Sequence, residues 1–432
     1  MGPHWTNWAA TASCTPAAIA APAGEEEIVQ AVRAAAAAGR RVRVAGTGHS
    51  FTDLCCTDGT LLKLDRHDRV IEVDAERRLA TVQGGITIAR LSEELDRHGL
   101  ALPNLGDVAY QTISGAISTA THGTGERRHN IACQVAGLSL VLADGGILRS
   151  SPELDREAFE VARVGLGALG VISTVTLRCE PAFNLHSIEE PRDLDEVLEE
   201  FDELAAANDH FELFWFPHTR VAQTIRNNRT DEPARPRRRL AAYVDDILVE
   251  NHVFHVVQAL GRAWTGWIPR LAGFTTRLLT RSEVVERSHR VFANERLVRF
   301  AEMEYAIPRR HVVHAVREVR SMIARSGLRI SFPIEVRVLD GDDIALSTAY
   351  GRETAYVAVH VFWRLPHERY FREVEAIMRD LEGRPHWGKL HFQDAESLRP
   401  RYPLWDRFGA VRDRLDPERR FTNDYLRRVL GS

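Results

Sequence analysis

The sequence contains almost no lysine. Of its 56 basic residues only Lys63 and Lys389 are lysines, and arginine supplies the positive charge everywhere else. It also lacks CxxC spacing among its five cysteines, an apolar run of membrane-spanning length, and a marked net charge (−4). These absences argue against a zinc site or disulfide framework, a transmembrane helix, and a general attraction to nucleic acid or anionic membranes.

These exclusions lead to expectations about the protein's location and partners. The first residues show no basic start followed by an apolar core, so we predict no secretory signal. We expect a cytoplasmic protein with reduced cysteines, no nucleic-acid partner, no metal and no membrane association. Hydrophobic content of 44% and charged content of 27% are typical of a globular enzyme.

The pattern of predicted elements changes near residue 180. Before it, short strands such as "RVRVAG", "TLLKL" and "LATVQGG" outnumber helices, and clean βαβ alternation is missing, which argues against a doubly wound sheet. After it, helices such as "RHVVHAVREVRSMIARSG" alternate with strands such as "SFPIEVRVL". We predict an α+β fold, one long helix over "LDEVLEEFDELAAAN", and a C-terminal tail with a short helix followed by an anchoring segment.

One segment, residues 252–279, is rich in aromatic and apolar residues with scattered arginines. This composition fits a helix at a membrane surface, but we favour a helix buried on the substrate domain. The preceding run "RTDEPARPRRRL" is predicted to be an exposed loop.

Two glycine-rich stretches indicate a ligand. In "VAGTGHSFTD", Gly46 and Gly48 follow a strand and allow backbone N–H groups to approach a phosphate. The stretch is not a dinucleotide fingerprint, because the third glycine position is Phe51. His49 lies on this loop, either in a local hydrogen bond or in a functional role. The small residues 114–125 favour a backbone that lies against a large ligand, and His122 has no second metal ligand at helical spacing.

Three further stretches carry charged residues where a strand or glycine turn would position them. Glu335 and Arg337 are two apart in a predicted strand and therefore point to one face, either as an ion pair or as the floor of a pocket. His360 lies in an apolar strand, where a core histidine is the alternative. Lys389 follows a glycine in "RPHWGK", and its presence in a chain so poor in lysine suggests a specific role.

Together these stretches resemble the vanillyl-alcohol oxidase superfamily of flavoenzymes, in its sugar-1,4-lactone and alditol oxidase branch. The resemblance rests on "GTGHS", "THGTG", "LGALGVIS", "IEVR", "AYGRET", "RPHWGK" and the C-terminal "YP…F…R…LDP…F.N.YL", and it is nearest to the bacterial L-gulono-1,4-lactone enzymes. It implies an FAD-binding domain over residues 1–179, a mixed α/β substrate cap over 180–390, and a segment 391–432 that returns to the FAD domain.

The resemblance also implies roles for individual residues. His49 would bind FAD covalently. The expected FAD contacts are Gly46, Thr47, Gly48, Ser50, Asp107, Thr112, Gly115, Thr119, His122 and Ile172. Lys389 and Arg337 would stabilise the negative charge that develops on reduction, and desolvation would also allow the lysine, unlike an arginine, to accept a proton. Glu335 would orient sugar hydroxyls, and His360 and Asp107 are further catalytic candidates.

The predicted reaction is oxidation of the hydroxyl next to the carbonyl of an aldono-1,4-lactone. Asp107 and Phe362 replace small hydroxyl residues of the alditol oxidases, which disfavours polyols, and Gly106 would leave space for oxygen. Oxygen or another acceptor, artificial or protein, would reoxidise the flavin. Alternatives are an alditol oxidase acting on xylitol or sorbitol, an NAD-dependent dehydrogenase that uses "GTGHSF" as a nucleotide loop, and an inactive flavin-fold binding protein.

Overall fold

The computed structural model describes residues 2–235, 264–293 and 298–431. The helices of these residues are α1 Glu25–Ala37, α2 Ile88–Arg97, α3 Ile113–Ser118, α4 Arg156–Ala162, α5 Leu194–Glu199, α6 Phe201–Ala207, α7 Ile268–Thr276, α8 Ser288–Phe292, α9 Val312–Ser326, α10 Glu368–Asp380, α11 Ala395–Leu398, α12 Trp405–Leu415 and α13 Asp424–Leu430.

The strands are mostly antiparallel, which confirms the predicted α+β class. They are β1 Trp5–Thr6, β2 Ser13–Cys14, β3 Ala18–Ala20, β4 Val42–Ala45, β5 Thr60–Lys63, β6 Val70–Asp74, β7 Leu79–Gln83, β8 Leu100–Ala101, β9 Val135–Val141, β10 Ile147–Ser150, β11 Val171–Arg178, β12 Glu180–Pro181, β13 Asn184–Asp193, β14 His210–Trp215, β15 Val221–Thr230, β16 Ser282–Arg287, β17 Phe300–Pro308, β18 Ile334–Leu339, β19 Thr354–Phe362 and β20 Arg384–Pro385.

The N-terminal region contains two main sheets. One is antiparallel with the order β10-β9-β11-β7-β6, and the other is parallel with the order β3-β5-β4. The C-terminal segment packs on this region: Phe421 is fully buried beside Ile28 and Val42, and Val42 N donates to Arg420 O at 2.8 Å. This packing agrees with a returning segment, while the boundaries at residues 179 and 390 stay predictions.

An antiparallel eight-stranded sheet, ordered β16-β13-β15-β14-β18-β19-β17-β20, forms the second region. Side chains alternate between its two faces, as the pleat of a strand requires. Residues such as Met303, Val336 and Val359 pack into an apolar core with α9 and α10. The intervening positions therefore point to the opposite face, and several of them are charged.

The structure corrects several of the predicted elements. The helix expected over residues 194–208 is divided at Glu200 into α5 and α6, and it ends at Ala207. In the tail, the anchoring residues precede α13 rather than follow it. The first part of the aromatic segment and the end of the basic loop lie outside the described residues, but Trp264 and Trp267 are more than half exposed, so the prediction of a buried helix is wrong there.

Two absences concern only the residues that the structure describes. None of their helices is both long and apolar enough to cross a membrane. All five cysteines are free thiols, and of these only Cys179 is fully buried.

Candidate active site

A cleft begins where β4 ends. The loop after this strand carries five of the predicted cofactor residues: Gly46, Thr47, Gly48, His49 and Ser50. A Cβ atom at Gly46 would lie 2.2 Å from Thr112 Oγ1, and Gly48 has a φ of +78°, which favours glycine. Within the described residues, the backbone N–H groups of Thr47, Gly48 and His49 donate to no acceptor. Free donors on a glycine loop are what an anionic phosphate requires.

Helix α3 forms the opposite wall of this cleft. Thr112 precedes the helix and accepts a hydrogen bond from Gly115 N at 3.3 Å, and Thr119 Oγ1 donates to Gly115 O at 3.2 Å. These residues and Ile172 at the start of β11 line a cleft of about 850 Å³ together with the glycine loop. Because small and hydroxyl residues dominate this wall, a flat ligand in the cleft would contact mainly backbone.

Arg43 holds the loops around the cleft together. Its buried guanidinium donates to the carbonyl oxygens of Leu54 (2.9 Å), Gly167 (2.8 Å), Phe421 (2.8 Å) and Leu166 (3.0 Å). These four carbonyls belong to three distant parts of the chain. Burial lowers the pKa of Arg43 to about 10, which still leaves it charged at neutral pH.

His49 is partly enclosed by the N-terminal segment. Its ring stacks on Trp8 with 5.5 Å between centroids and an interplanar angle of 26°. Asn7 Nδ2 donates to Ser50 O at 2.9 Å and Trp8 N donates to Gly48 O at 2.9 Å, so this segment fixes the loop. Burial, with a smaller effect of Lys389, lowers the pKa of His49 to about 4, so its imidazole is neutral at pH 7.

A second cavity, of about 820 Å³, contains the predicted catalytic residues. Asp107, Glu335, Arg337, His360 and Lys389 all line it. Two predicted FAD contacts, Asp107 and His122, line this cavity and not the cleft. The two spaces share four lining residues: Gln111, Thr121, His386 and Lys389.

Arg337 lies at the centre of a cluster of carboxylates. It contacts Glu212 through Nε at 2.6 Å, Glu335 through Nη2 at 2.5 Å, and Asp107 through Nη2. Burial disfavours its charge, but the three carboxylates outweigh burial and hold the pKa of Arg337 well above its usual range. Burial raises the pKa of Glu212, and the Arg337 guanidinium opposes that rise.

Lys389 is held as an ammonium ion by Glu302. Lys389 Nζ lies 2.5 Å from Glu302 Oε2. Burial opposes the lysine charge, but Glu302 and Glu304 outweigh it and raise the pKa of Lys389. Burial likewise opposes the charge of Glu302, yet Lys389 and His360 lower the pKa of that carboxyl to about 2. This pairing supports a fixed positive charge and disfavours Lys389 as the proton acceptor.

His360 presents one nitrogen to the cavity. Its Nδ1 lies 3.1 Å from the Pro333 carbonyl oxygen, so Nδ1 carries a proton. Its Nε2 lies 3.5 Å from Glu302 Oε1 and 4.0 Å from Glu335 Oε2. Burial lowers its pKa, but the two carboxylates outweigh burial and raise the pKa of His360. The imidazole therefore accepts a proton more readily than usual.

His122 has partners that its sequence position does not reveal. Its Nε2 lies 3.4 Å from Glu304 Oε1, and its ring stacks on Tyr356 with 3.6 Å between centroids. His122, Glu304 and His386 place three potential metal-ligand atoms within 4.8 Å of one another. The sequence argument against a metal considered only helical spacing, so the absence of a metal stays a prediction.

Sequence reasoning missed four buried polar residues of this region: Glu212, Glu302, Glu304 and His386. The strand "FAEMEYAIP" contained a signal, because its two glutamates occupy alternate positions among apolar residues, as in "IEVR". Their partners are far away in the chain: Arg337 and Glu212 are 125 positions apart. A pattern within one strand does not identify such partners.

Two interpretations of specificity change with the geometry. Phe362 is buried with Val298 and Phe332 and is not among the lining residues of the second cavity, so direct contact with Phe362 does not support the predicted preference against polyols. A Cβ atom at Gly106 would lie 2.8 Å from the His122 carbonyl oxygen. A close backbone approach therefore accounts for this glycine.

Comparisons with known proteins match the chain to two family models and to several relatives along its length. The family model described as FAD binding domain matches residues 16–151, and the model described as D-arabinono-1,4-lactone oxidase matches residues 175–429. The chain is 47% identical over 431 residues to L-gulono-1,4-lactone dehydrogenase of Mycobacterium tuberculosis, covering 100% of both chains. It is 35% identical to L-gulonolactone oxidase of Bos taurus, covering 99% of this chain and 98% of the relative.

The fold is also found among solved structures. A cholesterol oxidase from Brevibacterium sterolicum superposes with a TM-score of 0.84 and 17% identity, covering 99% of this chain and 96% of the other. This likeness concerns the fold alone. The free donors of the glycine loop and the small-residue wall of the cleft fit FAD, as the matching domain model requires. The second family model covers more than half of the chain, which therefore belongs to the D-arabinono-1,4-lactone oxidase family.

Proposed function

We propose that the protein catalyses FAD-dependent oxidation of an aldono-1,4-lactone similar to L-gulono-1,4-lactone, at the hydroxyl next to the carbonyl. The relative named L-gulono-1,4-lactone dehydrogenase, identical at 47% of positions along the whole chain, supports this substrate class. The main structural observation is that two fixed cations, Lys389 and Arg337, line a cavity that shares its wall with the FAD cleft.

The residues proposed to hold FAD are those of the first cleft. The loop 46–50 would bind the pyrophosphate through its free N–H groups, and Thr112, Gly115, Thr119 and Ile172 would contact the rest of the cofactor. When bound, FAD supplies the acceptor for the hydride that leaves the substrate carbon. Glu304 pairs with His122, which would position that histidine at the edge of the same cofactor.

We propose that His49 binds FAD covalently. Its imidazole is neutral at pH 7 and lines the cleft, and both are conditions for a nitrogen that forms a bond to carbon. The stack with Trp8 restricts the ring. In the wild-type protein the flavin should remain attached after acid precipitation, whereas His49→Ala should release it. Retention of acid-stable flavin in His49→Ala would refute the assignment.

His360 is the proposed acceptor of the hydroxyl proton. A base must be within hydrogen-bond reach of the proton, with a pKa near the working pH. The Pro333 carbonyl fixes the proton on Nδ1, so in the neutral ring Nε2 has the lone pair, and Glu302 and Glu335 stabilise the cation that forms.

The two fixed cations and the nearby acids would prepare the substrate. Lys389 and Arg337 would stabilise the negative charge that develops during oxidation without changing their own protonation. Glu335 would orient sugar hydroxyls. Asp107 contacts Arg337 from the loop before α3 and would shape the side of the cavity next to Arg337.

A substrate panel tests this proposal. Aldono-1,4-lactones should be oxidised with a higher kcat/KM than xylitol or sorbitol, with either oxygen or an artificial acceptor present. A preference for polyols would favour the alditol oxidase alternative. A colourless protein that reduces NAD would favour the dehydrogenase alternative, and no turnover of any substrate would favour an inactive binding protein.

The reoxidising partner and the compartment are separate proposals. Oxygen or a protein carrier would accept electrons from the reduced cofactor, and the ratio of rates with oxygen and with dye distinguishes them. Five free thiols fit a reducing compartment such as the cytoplasm.

A further inference from the structure

A group of exposed apolar side chains lies outside both cavities. Trp264, Trp267, Phe274 and Leu278 are 59%, 56%, 57% and 53% exposed. Of the described residues, six large hydrophobic side chains are more than half exposed, and four of them fall within this short segment. Single exposed apolar residues are ordinary, but a contiguous group marks an interaction surface.

Three members of the group, Trp267, Phe274 and Leu278, form one stripe with half-buried Leu271 along helix α7 and the turns that flank it. Trp267, Leu271, Phe274 and Leu278 are spaced by four, three and four residues, so their side chains lie along one side of the helix. The opposite side attaches the helix to the protein, because Ile268 and Thr276 are buried. Because its other side is anchored in this way, the helix holds the stripe facing away from the protein.

Positive charge flanks the stripe. Arg270 and Arg277 are exposed on the helix, and Arg281 follows it. The sequence from residue 251 to 282 contains no aspartate or glutamate. In the described part of the chain, neither Arg270 nor Arg277 forms an ion pair. Arg281 pairs with Glu283 at 3.4 Å, so Arg270 and Arg277 are the arginines of this surface without an ion pair to a described residue.

We propose that this surface, residues 264–281, docks the protein onto an anionic phospholipid membrane. Tryptophan favours the interface between headgroups and acyl chains, and an amphipathic helix with apolar residues on one side and arginines beside them lies in the plane of that interface. The acid-free, arginine-flanked stripe matches the negative charge of such a membrane. The helix would adhere to the membrane surface without spanning the membrane, in contrast to the expectation of no membrane association.

Vesicle flotation with the full-length holoenzyme tests the proposal. The protein should float with vesicles that contain phosphatidylglycerol, float less with phosphatidylcholine alone, and be released as salt screens the charges. The double variant Trp267→Ser/Phe274→Ser should bind the phosphatidylglycerol vesicles more weakly than the wild type, by a factor of about ten or more. Leu154→Ser, at a position 55% exposed outside the stripe, should bind like the wild type.

The controls separate this proposal from a loss of folding and from a protein partner. Lactone oxidation with an artificial acceptor should be unchanged in all three proteins, because none of these residues lines either cavity. Equal binding to both kinds of vesicle by wild type and double variant would overturn the proposal. The proposal would also be overturned if the wild type bound no vesicles but self-associated, and the double variant did not self-associate. That result would assign the stripe to contact with a second copy of this chain.

Discussion

The cleft and the cavity that meet at His386 and Lys389 are built in different ways. The cleft presents backbone and small side chains from short contiguous stretches, and one buried arginine holds its loops. The cavity presents charged side chains from β17, β18 and β19, which the pleat of one sheet brings to the same face. The comparison shows that glycines and chain turns determine the shape of the cleft. The charges of the cavity, in contrast, come from ion pairs between residues that are distant in sequence.

Removing the central cation of the cavity should have the largest effect. Arg337→Met would leave three buried carboxylates without their shared partner, which should lower the free energy of unfolding by about 3–5 kcal/mol and abolish lactone oxidation. Urea unfolding and steady-state assays measure the two effects. The double variant Arg337→Met/Glu335→Gln should regain part of the stability but no activity. A stable and active Arg337→Met would contradict the role of the cluster.

The corresponding change in the cleft is Arg43→Met. Loss of its hydrogen bonds to four carbonyls should lower the free energy of unfolding by about 3 kcal/mol and reduce the FAD content, because the loops around the cleft lose their common anchor. The flavin-to-protein absorbance ratio after gel filtration measures retention. Arg33→Met is the matched control, since exposed Arg33 also donates to carbonyls, at 3.4 Å, and should change neither property.

A pH profile tests the protonation scheme of the cavity. The raised pKa of His360 means that the base is unprotonated only above the ordinary imidazole value of about 6.5. We therefore expect kcat/KM to fall as the pH decreases through a midpoint above that value, and His360→Asn to be slow and lack this limb. A limb that persists in the slow His360→Asn enzyme would assign the base to another group.

The smallest predicted effect concerns the N-terminal segment. Trp8→Ala removes the ring that stacks on His49, so covalent attachment should become severalfold slower while noncovalent FAD still binds. The acid-stable flavin fraction, followed after adding FAD to freshly purified apoprotein, measures the rate. Trp8→Phe should retain most of the rate. If Trp8→Ala attaches FAD as fast as the wild type, the stack does not position His49.

This difference between the cleft and the cavity explains which parts of the site could be predicted from the sequence. Gly46 to Ser50 lie together because they are consecutive, and the hydroxyl that caps α3 lies opposite them, so a contiguous motif indicated the cleft. In the cavity, Glu335 and Arg337 were identified by their alternation within one strand. Glu302 and Glu304 were missed, because their roles depend on Lys389 and His122, whose proximity arises only from sheet register and the path of distant loops.

Anaerobic single-turnover reduction of Lys389→Met holoenzyme by L-gulono-1,4-lactone tests the central claim most directly. The cleft should hold FAD as before, while loss of the ammonium should slow bleaching of the flavin absorbance by about 10²–10³-fold relative to wild type. The double variant Lys389→Met/Glu302→Gln also removes the charge of Glu302, which Lys389→Met leaves buried without its partner. Its flavin should be reduced as slowly as that of Lys389→Met. Reduction of Lys389→Met at the wild-type rate, with normal flavin content, would contradict the account.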